Sequence, residues 1–144
     1  MSLRISQQIL LDTGFLYALF EAKDEHHPEA LAYADFLSDY QIIIPWPILY
    51  ETVNTRFIRR PITIRRMEKL LKRPNVTLLD DAAYKQEALE LSLSSVGRAF
   101  SVVDNVLRLV LDDRNVRVNY LFSFNRGDFA DVCAQRNVEI VPSI

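Results

Sequence analysis

Five short apolar runs punctuate the chain, and most of them stop at an abrupt signal. Residues 8–11 (Gln-Ile-Leu-Leu) end at Asp12, residues 41–44 (Gln-Ile-Ile-Ile) at Pro45 and residues 76–79 (Val-Thr-Leu-Leu) at Asp80, with two more runs at 120–122 and 138–141. Runs that are apolar throughout, without in–out alternation, predict strands buried on both faces, as in parallel sheets. Between them the spacing becomes helical. Residues 14–21 are apolar and aromatic, and Ala30, Leu31, Ala34 and Leu37 form a stripe over 28–37. Pro47 suits the first turn of a helix bearing Ile48, Leu49, Val53 and Phe57, which Pro61 breaks. A basic helix follows over about 63–72. Asp80 or Asp81 supplies a cap for a helix reaching about Ser95. Beyond Gly97, Ser101 opens a strongly apolar helix carrying Val102, Val103, Val106, Leu107, Leu109, Val110 and Leu111, and a short helix follows Gly127.

Strands alternating with helices predict an α/β protein: a mainly parallel sheet of about five strands, covered on both faces. Ligands of such sheets bind beyond the carboxyl ends of the strands, which singles out Asp12 and residues 123–128. At 144 residues, with three glycines, six prolines and no repeat or linker-like stretch, the chain reads as one domain spanning 1–144. The single cysteine, Cys133, cannot form an internal disulfide or a cysteine metal cage. With no signal peptide and no membrane-spanning run, the expectation is a cytoplasmic protein with no membrane partner.

The net charge of −2 argues against a nucleic-acid partner until its distribution is considered. Eight of the 17 basic residues (Arg56, Arg59, Arg60, Arg65, Arg66, Lys69, Lys72 and Arg73) lie between 56 and 73, against one acid, Glu68. That window carries +7 and the remainder −9. A local phosphate-binding face has this signature, with Arg56, Arg59, Arg65, Arg66 and Lys69 as RNA-contact candidates; a solvated helix face is the plainer reading.

Four acids occupy places that packing does not require. Asp12 ends the first strand; Glu51 lies in the helix after the second; Asp104 interrupts the apolar 101–111 helix; Asp128 follows the fourth strand. Each has a bland account. Asp12 and Asp128 suit helix caps, Glu51 suits a helix start, and Ser101-x-x-Asp104 resembles a capping box. Together the bland accounts weaken, because several carboxylates gathered at one sheet edge repel each other unless a cation compensates. Hard divalent cations such as Mg²⁺ prefer such an oxygen environment and can activate water for attack on a phosphodiester. No Gly-rich phosphate loop is present. His26 and His27 are adjacent, poor spacing for zinc on one helix face, and read as loop or helix-capping residues.

These residues resemble the PIN-domain nucleases, particularly the toxin ribonucleases of VapBC-type toxin–antitoxin pairs. Residues 9–20 (Ile-Leu-Leu-Asp-Thr-Gly-Phe-Leu-Tyr-Ala-Leu-Phe) are similar to the family's opening strand, first acid and helix, and Asp24-x-His-His27 to the segment after it. Glu51 in 47–53, Asp104 in Ser101-Val-Val-Asp104, and Ser123-Phe-Asn125-Arg-Gly-Asp128-Phe129 are similar to the later motifs. The resemblance implies a three-layer α/β/α sandwich and an endoribonuclease dependent on Mg²⁺ or Mn²⁺, leaving a 5′-phosphate and a 3′-hydroxyl. It further implies Asp12, Glu51, Asp104 and Asp128 as catalytic metal-site acids, with Thr13, Ser101, Ser123 and Asn125 as auxiliary polar groups. A homodimer and a small antitoxin partner are also implied. Ser123 replaces the commoner Thr, and Asn125 stands where many relatives carry an acid. Arg108, one turn after Asp104, is expected to pair with it. The alternatives are a non-catalytic PIN-fold module binding RNA or protein, favoured by Asn125, and a phosphotransfer or receiver domain. The latter lacks its paired first acids and its lysine after the fourth strand.

Overall fold

The computed structural model describes residues 7–94 and 99–143. Five strands, β1 Gln8–Leu11, β2 Gln41–Pro45, β3 Val76–Leu79, β4 Tyr120–Phe122 and β5 Glu139–Val141, form one sheet in the order β3-β2-β1-β4-β5. Every pairing is parallel. The sequence places these strands to within one residue. Ile9, Leu10, Leu11, Ile42, Ile44 and Leu121 are wholly buried, so the central strands have no solvent face.

The helices are α1 Thr13–Phe20, α2 His27–Ala32, α3 Phe36–Asp39, α4 Trp46–Thr52, α5 Thr55–Ile58, α6 Pro61–Leu71, α7 Lys85–Ser94, α8 Val102–Asp112 and α9 Arg126–Arg136. The chain steps outward from β1 to β2 to β3, then crosses to build β4 and β5 on the other side of β1. Right-handed crossovers then place α1–α6 on one face and α7–α9 on the other. Packing agrees: α1 meets α2, α4 and α6, while α8 meets α7 and α9. The connections diverge between β1 and β4, so the crevice at their carboxyl ends is the topological switch point.

Several helices depart from the sequence reading. The single helix expected over 28–37 is two, because from Tyr33 to Ser38 the backbone bonds run to the third residue back, as in Tyr33 N–H to Ala30 and Leu37 N–H to Ala34, both 3.1 Å. That tighter 3₁₀ winding ends an α-helix. The helix expected from Pro47 through Phe57 breaks at Val53–Asn54, where the Asn54 side chain accepts from Phe57 N–H at 3.1 Å and starts α5 afresh. The helix near Gly127 is eleven residues long and begins before that glycine, at Arg126. The expected turn at Gly97 and helix end at Ser95 lie outside the described residues. Among the described residues no helix is long and apolar enough to cross a membrane.

Candidate active site

Asp12 terminates β1 and caps α1. Its Oδ1 accepts from Thr13 N–H at 2.7 Å, and its Oδ2 accepts from Ser123 Oγ at 2.7 Å. Ser123, wholly buried at the end of β4, accepts in turn from Asn125 N–H at 3.0 Å, which orients its hydroxyl toward Asp12. The two strands that flank the switch point are thus bridged side chain to side chain. The capping and site readings of Asp12 coincide in one residue. Only 4% of it is exposed, and burial raises its carboxyl to about 6. The Ser123 and Thr13 bonds oppose that rise, while the charges of Asp104 and Glu51 add to it.

Glu51 lies in the last turn of α4, not near its start as the sequence suggested, and the helix dipole disfavours an acid there. Helix electrostatics therefore do not account for it. Thr13 Oγ1 donates to Glu51 Oε1 at 2.6 Å, fixing the exposed carboxylate beside the α1 N-terminus. Asp104 stands in the first turn of α8, where its N–H donates to Ser101 Oγ at 3.1 Å, so the cap is real. Burial raises the Asp104 carboxyl; hydrogen bonds from Ser101 oppose this, and the charges of Asp128 and Glu51 add to it. Asp128 is half-buried in the first turn of α9; the N-cap is Asn125, which corrects the capping role considered for Asp128. Of the four acids only Asp12 is buried, yet their fields overlap: Asp12 with Asp104 and Glu51, Asp104 with Glu51 and Asp128.

Arg108 does not pair with Asp104. Its guanidinium forks onto Asp131 at 2.7 and 2.6 Å, donates to the Asp128 carbonyl at 2.7 Å and lies 4.5 Å from the centre of the Phe100 ring. Asp131 on α9 offers planar bidentate geometry that a residue one turn back on the same helix does not. The effect is to tie α8 to the start of α9, fixing Asp104 and Asp128 relative to each other.

The basic candidates are exposed but divided. Arg56 and Arg59 lie in and just after α5. Arg65 borders a hollow with Val53, Ile64 and Leu78, whereas Arg66 and Lys69 border another, floored by Leu19, Leu31 and Leu37. Neither hollow is lined by any of the four acids. Sequence reasoning also missed two contacts. Buried Glu21 pairs with Arg60, joining the end of α1 to the start of α6. His26, at the start of α2, stacks on Phe124 with ring centres 4.2 Å apart. The two rings lie in segments far apart in the sequence, which gave no signal for that pairing.

The donor set suits a hard divalent cation in kind: carboxylates close enough for their charges to act on one another, with Asp12 retaining lone pairs beyond its two hydrogen bonds. Among the described residues no three His, Cys, Asp or Glu side chains converge closely enough for direct chelation. A hard ion bound among them would keep several waters and take only one or two carboxylates directly, as Mg²⁺ does.

No protein-family model matches the chain, and no curated protein matches it. Among solved structures, the crystal structure of Mycobacterium tuberculosis VapC20, described as a sarcin–ricin loop cleaving toxin, has a TM-score of 0.67 to this chain. The match covers 85% of this chain and 94% of that one at 21% identity, a likeness of fold. The mainly parallel α/β fold expected from the sequence is shown by the strand pairing, and VapC20 shares it.

Proposed function

We propose that this chain is an endoribonuclease of the PIN type, hydrolysing RNA phosphodiester bonds with Mg²⁺ or Mn²⁺ at the Asp12 crevice. The observation that carries the reading is Asp12 itself: a buried carboxylate at the switch point, held by Ser123 and pushed up to about 6 while facing Asp104 and Glu51. A fold that needed only a helix cap would not set two more acids, Asp104 and Glu51, close enough to act on it. The shared fold supports the same reading, since VapC20 is described as a sarcin–ricin loop cleaving toxin.

Asp12, Glu51 and Asp104 would hold the cation, directly or through water. A divalent ion there supplies Lewis acidity toward the phosphoryl oxygens and lowers the pKa of an attacking water. Ser123 and Thr13 hold Asp12 and Glu51 in place by the bonds described. Asp128 orients the attacking water, and Ser101 and Asn125 serve as neutral hydrogen-bonding groups. Water oxygen adds to phosphorus as the bond to the 3′ oxygen breaks, and the proton ends on that oxygen, leaving a 3′-hydroxyl and a 5′-phosphate. Arg56, Arg59, Arg65, Arg66 and Lys69 contact flanking phosphates.

The sequence resemblance to toxin ribonucleases extends the proposal: the chain is the toxin of a toxin–antitoxin pair, homodimeric, acting in the cytoplasm and restrained by a small antitoxin. A short reading frame for such a partner beside the gene tests that part. The chemistry is tested with purified protein and RNA: cleavage with Mg²⁺ or Mn²⁺ that stops on chelation is expected. Failure to cleave and failure to bind either ion in a calorimetric titration would leave a non-catalytic module instead.

A further inference from the structure

Four aromatic rings run from the core to the surface beside the acid crevice. Phe15 meets Phe122 edge-on at 5.0 Å and stacks on Phe124 at 5.3 Å, and Phe124 stacks on His26 at 4.2 Å with planes 11° apart. The middle rings belong to the site by position: Phe15 is in the first turn of α1, which Asp12 caps, and Phe124 follows Ser123 directly. His26 is the outermost rung. With one face covered by Phe124, its side chain remains 38% exposed.

The platform is fixed from behind. His26 N–H donates to Asp24 Oδ1 at 2.8 Å, and the neighbouring His27 ring is bonded through Nδ1 to the Ala18 carbonyl at 2.6 Å, pinning the segment to α1. Glu25 and Glu29 approach the His26 ring nitrogens at 3.4 and 3.8 Å. Those carboxylates, with Asp24 beside them, make the spot hostile to a phosphate. They leave the outer ring face, which suits a flat, uncharged aromatic group.

We propose that His26 is the stacking platform for one unpaired RNA base beside the scissile phosphate. The role rests on the ribonuclease reading and extends it to a substrate that is single-stranded at that nucleotide. A base held in a duplex is stacked on its neighbours, whereas a splayed base can lie on an aromatic or histidine ring and continue the ladder. Because the ring is already positioned, little ordering cost opposes the contact.

The test compares the native chain with His26→Ala and His26→Phe, using a fluorescein-labelled single-stranded RNA in chelator for affinity and Mg²⁺ or Mn²⁺ for cleavage. His26→Ala is expected to weaken single-stranded binding about tenfold and to raise KM more than it lowers kcat. His26→Phe, which keeps a stacking face, stays within about threefold of native. Replacing RNA nucleotides one at a time with abasic residues should find one position whose loss weakens the native protein but not His26→Ala. Native-like behaviour of both variants, with cleavage intact, would overturn the stacking role alone. Equal loss in both variants would also overturn it, because the nitrogens and not the face would then matter. A native chain that neither binds nor cleaves RNA overturns the ribonuclease reading and this role with it.

Discussion

Burial raises the Asp12 carboxyl from 3.8 to about 6, so its ionised form costs the folded chain stability at neutral pH. The sign follows from linkage: a raised folded pKa contributes stability that is fully present below about pH 4 and is lost as pH rises through about 6. A difference of two units corresponds to roughly 3 kcal/mol at most. Asp12→Asn removes the charge and keeps the shape. In chelator at pH 7.5 it is therefore expected to melt at a higher temperature than the native chain, by an amount equivalent to about 2 kcal/mol, with the gap closing near pH 4.5. Mn²⁺ should raise the native melting temperature and leave the variant little changed. Identical pH profiles for the two proteins would contradict the burial account. Asp12 was readable in the sequence because a strand end and a motif coincide there. Its bond to Ser123 was not, since 111 positions separate the partners and only the β1–β4 pairing joins them.

At the scale of elements, two arginines hold helices that the sheet alone does not orient. Glu21 is 6% exposed at its side chain, so Arg60→Ala leaves a buried carboxylate with the Lys23 N–H bond of 3.1 Å to its Oε1 but without the Arg60 charge. A loss of about 3 kcal/mol in chemical denaturation is expected, partly recovered by adding Glu21→Gln. Arg108 ties α8 to α9 through Asp131, whose carboxyl it holds down to about 2. Asp131 is largely in water, so Arg108→Ala should cost only about 1 kcal/mol. Its larger effect is expected on cleavage, because Asp104 and Asp128 lose their mutual alignment; Arg108→Lys keeps a charge but not the fork and should recover activity only in part. A drop in stability with unchanged cleavage would leave Arg108 a structural tie. Strands were legible here because most apolar runs meet a hard stop. Helix breaks at Tyr33 and Val53 were not, because they arise from 3₁₀ bonds and from the Asn54 side chain, neither of which interrupts the apolar spacing.

For the whole molecule, strand order decides what the sequence could only suggest. Parallel strands with apolar cores were expected, but the divergence between β1 and β4 is what makes their ends the switch point, where Asp12 feels the charges of Asp104 and Glu51, and Asp104 those of Glu51 and Asp128. Charge is arranged on the same scale, with an acidic centre and basic residues spread over α5 and α6. If those residues neutralise phosphates, Arg65→Glu with Arg66→Glu should weaken single-stranded RNA binding and flatten its salt slope by about 0.7 for each phosphate no longer neutralised. An unchanged slope would mark them as solvated surface, which their division between two hollows makes a sharp comparison. The central claim is that the acid crevice is the place of metal-dependent RNA hydrolysis. It is tested most directly by measuring RNA cleavage by the native chain and by Asp12→Asn across a Mn²⁺ series, with melting curves to show that both are folded. The expected result is metal-dependent cleavage by the native chain and a fall of at least about a hundredfold in the variant at every concentration; equal cleavage by the two proteins, or native cleavage that persists in chelator, would contradict it.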